Sequence, residues 1–151
     1  MDKNLDDDWL TRLNYLTAFK LIGICEGHYR RRLSSAGRYP HINLRLNEQL
    51  LPNVARNWDD LRAEILNEVH NLFQAGDTLF NLELKYKLRS GRGRLTYQED
   101  LTLRIRCDQV RGAAEMDPET YNWFNRSVDR IETLDRIVSS WHRAQGVQER
   151  L

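Results

Sequence analysis

The stretch Phe80–Leu88, FNLELKYKL, followed after RSGRGR (89–94) by Leu95–Cys107, LTYQEDLTLRIRC, decides how this chain folds. Phe80, Leu82, Leu84, Tyr86 and Leu88 alternate with Asn81, Glu83, Lys85 and Lys87, the two-residue period of a strand with one wet face. Leu95, Tyr97, Leu101, Leu103, Ile105 and Cys107 repeat the period, broken by Glu99. Between the runs, Ser90-Gly91-Arg92-Gly93 predicts a two-residue type II′ turn, with Gly91 accepting the positive φ of its first position. That turn pairs Ser90 with Gly93, Leu88 with Leu95 and Leu84 with Glu99, and gathers the leucines on one face. A slip by one residue would reverse every side chain. The same register sets Glu83 opposite Asp100, a like-charge pair that costs stability unless a bulge or basic neighbours relieve it.

Working outward, Tyr39–Leu46 (YPHINLRL) alternates again, with Ile42, Leu44 and Leu46 against His41, Asn43 and Arg45, and predicts a further half-buried strand. Upstream, Trp9, Leu13, Leu16, Leu21, Ile24 and Cys25 recur at helical spacing after a cap at Asp6 or Asp8. Tyr15, Phe19 and Ile22 widen that stripe until the helix is nearly apolar all round, which suggests a central helix or one covered by a second subunit. Beyond Gly27 the pattern thins through Arg30-Arg31-Arg32 and stops by Gly37, ahead of Pro40. Trp58, Leu61, Ile65, Val69, Leu72 and Phe73 predict a second helix, capped by Asn57 with Asp60 three residues on and closed by Gly76. Asp117-Pro118-Glu119 is a helix start, and the stripe Tyr121, Phe124, Val128, Ile131, Leu134, Val138, Trp141 carries that helix about six turns. The expected architecture is α+β: three helices against a small antiparallel sheet of about three strands, in the order α-β-α-β-β-α. One domain over residues 1–151 is expected, with 1–5 and 146–151 frayed.

The totals fit this reading. A chain of 151 residues can bury a core without a metal or a disulfide framework, and Cys25 and Cys107 read as reduced thiols. The acidic first residues and the lack of a long apolar run point to a cytoplasmic protein that does not enter a membrane. A net charge of +1 argues against a protein that coats nucleic acid, yet the charge is unevenly laid out. Residues 28–38 carry +4, and residues 78–107 hold seven basic against three acidic side chains. Of 23 basic residues 19 are Arg, whose fork suits oriented contacts with phosphate or carboxylate.

Candidate chemistry is sparse. Cys25 and His28, three apart on the expected helix, are a weak metal pair with no second pair to complete a site. With Glu26 they also hold the residue types of a thiol nucleophile and its base, but the helix turns Cys25 toward the core. No Walker loop, dinucleotide fingerprint, zinc-finger spacing or HExxH motif occurs, and no cofactor or metal is expected. Gly23 and Gly27, four apart, read as close helix packing.

The remaining signal is anion binding. Lys85, Lys87, Arg104 and Arg106 leave the hairpin on its polar face, Arg45 and His41 join them if the Tyr39–Leu46 strand pairs alongside, and Arg30, Arg31, Arg32 and Arg38 add a second basic group. Trp123 falls beside its helical stripe, and Trp9 and Trp123 are candidate interface residues, half in and half out of the core, in a homodimer or against a larger protein. The expected function is a non-catalytic regulatory, adaptor or accessory protein that engages an acidic protein surface. The alternatives are a nucleic-acid or nucleotide-phosphate binder, and a small enzyme using Cys25 and His28.

Overall fold

The computed structural model describes residues 5–27, 39–47, 58–91, 93–108 and 117–149, with the backbone alone described at 58, 84–90, 94–99 and 142–149. Three helices, α1 (Asp7–Asn14), α2 (Trp58–Leu72) and α3 (Pro118–Glu149), accompany four strands, β1 (Phe19–Cys25), β2 (His41–Leu46), β3 (Thr78–Gly91) and β4 (Arg94–Cys107). The strands form one antiparallel sheet in the order β1-β2-β4-β3, so the α+β class holds with one strand more than expected.

The extra strand comes from the long first helix of the sequence reading, which is in fact a short helix followed by a strand. Asp6 caps α1 through a 2.9 Å bond from the Asp8 amide, and the helix ends at Asn14. Phe19–Cys25 then pairs with β2. Trp9 and Leu13 are the helical core residues, whereas Phe19, Leu21 and Ile24 reach the core from a strand with a register shift between Leu21 and Gly23. Superposing a 3.6-residue period on a bulged two-residue one produced the apparent all-round apolarity, and the argument it gave for a covering subunit lapses.

A single carboxylate holds the joint between α1 and β1. Asp135 of α3 is buried and accepts from the backbone amides of Thr17 (3.0 Å), Ala18 (2.8 Å) and Phe19 (3.1 Å), and from Thr17 Oγ1 (3.2 Å). Ser139 Oγ lies 2.7 Å from Thr17 Oγ1. The amides of Thr17, Ala18 and Phe19 thereby gain a charged acceptor. Further along the same pair of helices, Arg12 bridges Asp129 and Glu132 of α3, and these bonds hold its guanidinium well above the ordinary arginine range.

The hairpin forms, but it closes one residue later than the sequence suggested. Gly91 pairs with Arg94, and Gly93 takes the left-handed conformation, with φ at 73°. Each partner shifts by two, which preserves the faces: Leu84 meets Leu101 and Leu82 meets Leu103. The shift also removes the expected clash, because Asp100 now lies opposite Lys85 and Glu83 opposite Thr102. β2 pairs with β4 only from His41–Arg45 to Thr102–Arg106, so the hairpin runs on past the four-stranded region as a two-stranded ribbon.

One face of the sheet is the floor of the core. Ile42, Leu44, Leu101, Leu103 and Ile105 are fully buried there with Phe19, Leu46 and Leu82, against Trp9, Leu13, Leu61, Ile65, Val69, Phe124, Val128, Ile131, Leu134 and Val138 of the helices. Burying each leucine or isoleucine contributes roughly 1.5–3 kcal/mol. α3 starts as its sequence predicts, with Asp117 Oδ1 accepting from the Thr120 amide at 2.7 Å ahead of Pro118. It continues through Glu149, eight residues past Trp141. Arg62 of α2 donates to the Leu82 carbonyl at 2.8 Å, which satisfies one acceptor on the outer edge of β3. No helix among the described residues is long and apolar enough to cross a membrane.

Two predictions follow from these joints. Asp135→Asn keeps the shape but turns an amide N–H toward backbone donors, so urea unfolding will show a loss of about 2–3 kcal/mol. Asp77 sits where desolvation raises its pKa, but hydrogen bonds from Arg126 and Thr78 and the charges of Arg126 and Arg130 outweigh this, for a net lowering. A carboxylate lowered in the fold adds stability above its unfolded value and loses it as pH falls through the folded value. The Tm deficit of Asp77→Asn will therefore be full at neutral pH and shrink between about pH 5 and about pH 2.

Candidate functional site

Strand geometry sends the residues between the buried ones to the other side of the sheet, and no helix of the described structure occupies that side. Three rows cross it. Lys20, Arg45, Thr102 and Glu83 form the first, Gly23, Asn43, Arg104 and Asn81 the second, and Cys25, His41, Arg106 and Leu79 the third. Carboxylates belong to the first row and to Asp100 beyond it, which is buried. The other two rows carry two guanidiniums and an imidazole without an acid.

The second and third rows shape a concavity of about 420 Å³, lined by His41, Asn43, Leu79, Asn81, Arg104 and Arg106 together with Phe80 and Ile105. Arg106 stacks on the ring of Tyr39, 4.4 Å from its centroid, which restrains the guanidinium plane while leaving its N–H edge available. His41 Nδ1 lies 2.9 Å from the Tyr39 carbonyl oxygen. A carbonyl only accepts, so Nδ1 carries the hydrogen and Nε2 is the other ring position. Asn81 Nδ2 donates to Glu83 Oε1 at 2.6 Å, which orients its amide from the neighbouring row. Leu79 is 47% exposed and gives one side of the concavity an apolar ledge.

The sequence-predicted basic residues fall into three groups. Arg45, Arg104 and Arg106 share the polar face with His41, as expected from pairing of β2 alongside the hairpin. Lys85 and Lys87 lie on the ribbon, in register with Asp100 and Gln98, and only their backbone is described. Arg30, Arg31, Arg32, Arg38 and His28 lie outside the described residues, as does the expected cap Asn57. Lys20 was missed because its segment reads as helix, although Phe19-Lys20-Leu21 already alternates. The partnership of Tyr39 with Arg106 has no local sequence signal.

Other expectations change with the geometry. Trp9 and Trp123, expected half exposed, are each 1% exposed. Trp9 Nε1 donates to Asn125 Oδ1 at 2.7 Å and its ring stacks on Phe124, while Trp123 Nε1 donates to Thr78 Oγ1 at 2.9 Å. Each indole places its polar edge on an internal acceptor, which lets the whole ring enter the core. Cys25 belongs to β1, opposite His41, with its Sγ 3.4 Å from the Gly27 amide, so no helix spaces it from His28. Gly23 is a strand residue and Gly27 has φ at 86°, which replaces the helix-packing role expected of them. Among the described residues no three His, Cys, Asp or Glu side chains cluster as a metal would require.

A double-mutant cycle will test the restraint on Arg106. Tyr39→Leu and Arg106→Gln, singly and together, should give a coupling of about 0.5–1 kcal/mol in urea unfolding, the range of an exposed cation–π pair. Comparison of the chain with protein-family models, with curated proteins and with solved structures finds no match.

Proposed function

We propose that this protein acts by binding, as a regulatory, adaptor or accessory factor whose polar sheet face engages an acidic surface on a protein partner. The observation that carries this reading is the segregation of charge on that face. Arg104 and Arg106, with His41, line a concavity free of carboxylates, while the surface carboxylate of Glu83 lies toward the other end and Asp100 beyond it is buried. A partner that matches such a face presents acid at one end and tolerates or contacts acid at the other, and that is how charge complementarity fixes orientation.

The same layout disfavours a tracked nucleic-acid backbone, which is uniformly anionic and would meet Glu83. The ring of Tyr39 is already stacked on by Arg106. Binding of this kind occludes or recruits and involves no bond-breaking step.

Fluorescence anisotropy with a labelled glutamate-rich peptide and with a single-stranded RNA of equal length tests the proposal. The peptide should bind at low salt and weaken as salt rises, and Arg104→Gln with Arg106→Gln should weaken it by about tenfold or more, corresponding to ~1.4 kcal/mol. Arg136→Gln, on the exposed side of α3, should leave binding unchanged. No binding of the peptide at low salt, or equal binding by the double variant, overturns the reading, and tight RNA binding lost in that variant replaces it with the nucleic-acid alternative.

A further inference from the structure

We infer that the concavity between β2, β4 and β3 is a receptor for a phosphoryl monoester carried on a side chain of the partner, with Arg104 and Arg106 as its paired cationic contacts. This rests on the reading of the sheet face as an anion-binding surface and names the anion that its concavity takes.

The charge and donor inventory selects the ligand. Two guanidiniums supply two positive charges and forks of N–H donors, and the amide of Asn43 stands beside them, while Asn81 Nδ2 already donates to Glu83 and His41 Nδ1 to the Tyr39 carbonyl. A phosphoryl monoester carries about −1.5 to −2 charge near neutral pH and three strong acceptor oxygens, which matches two guanidiniums. A side-chain carboxylate has one charge and two oxygens, so it neutralises one arginine and leaves the other without a counter-charge. Glu83 and Asp100 belong to other rows and do not line the concavity.

Shape points the same way. A volume of about 420 Å³ exceeds the needs of a carboxylate and accommodates a phosphorylated side chain with a neighbouring residue on the Leu79 ledge. Arg106 is held against Tyr39 before any ligand arrives, so less side-chain freedom is lost on binding. A nucleotide brings the same phosphoryl chemistry together with a base, and the titration separates the two.

Chemical-shift titration of the full chain tests this with four probes: O-phospho-L-serine, L-glutamate, adenosine monophosphate and the glutamate-rich peptide. Phosphoserine should shift the amides of residues 41–43, 79–81 and 104–106 in a saturable manner, at least about tenfold more tightly than glutamate. Arg104→Gln or Arg106→Gln should each weaken phosphoserine by about tenfold, and Arg104→Lys, which keeps the charge but loses the fork, should also weaken it. Arg136→Gln, on the exposed side of α3, should change it by less than about twofold. Undisturbed amide spectra elsewhere confirm that each variant is folded.

Equal affinity for phosphoserine and glutamate, shifts confined to other residues, or phosphoserine binding that persists in both glutamine variants overturns the inference. Adenosine monophosphate binding as tightly as phosphoserine overturns the assignment to a protein side chain. Peptide binding without phosphoserine binding removes the phosphoryl receptor and leaves the acidic-partner reading standing. Phosphoserine binding without peptide binding does the reverse.

Discussion

The alternation of Leu101, Leu103 and Ile105 is the constraint on which the rest of the structure depends. β4 pairs with β3 from end to end and, from Thr102 to Arg106, with β2 on its other side as well. Leu101, Leu103 and Ile105 are fully buried, so a change of parity would put Thr102, Arg104 and Arg106 into the core and destroy both layers at once. The core and the basic face are thus two products of one pattern. Neither can be altered in register without the other.

This coupling fixes where Arg104 and Arg106 leave the sheet. Arg104 and Arg106 stand on a strand whose neighbours are hydrogen-bonded on both sides, and their backbone positions are set by residues buried on the opposite face. Binding groups on a paired central strand are held more accurately than groups on a loop. The periphery is held differently, by charged clips between elements: Asp135 on the α1–β1 joint, Arg12 on Asp129 and Glu132, and Arg126 on Asp77.

How much was legible follows from the range of each interaction. The β2 strand, the β3–β4 pairing and the start of α3 are written in local patterns, and the burial of Ile42, Leu44 and Leu46 matches the alternation residue for residue. Residues 9–25 misled because Trp9 and Leu13 from a helix and Phe19, Leu21 and Ile24 from a bulged strand together imitate one helical stripe. What separates them is the turn at residues 15–18, whose amides are satisfied by Asp135, a contact with no local signature. The hairpin turn was misplaced because SGRG offers glycine at two positions; Gly93 supplies the positive φ, and the resulting register relieves Glu83 and Asp100 of each other. Of the site, Arg45, Arg104 and Arg106 were visible from strand parity. Lys20, the Leu79 ledge and the stacking of Tyr39 were not, because they arise from strand order and from contacts between elements.

The Asp135 contact also orders events in time. Its partners lie 116 to 118 residues earlier in the chain, and Trp9 and Arg12 likewise find their α3 partners more than a hundred residues away. During synthesis the first segment emerges long before the helix that secures it, so α1 and the β1 joint wait, incompletely satisfied, until the final helix leaves the ribosome. A nascent chain stopped at the end of β4 has its sheet pattern entire but lacks the carboxylate that fastens its beginning.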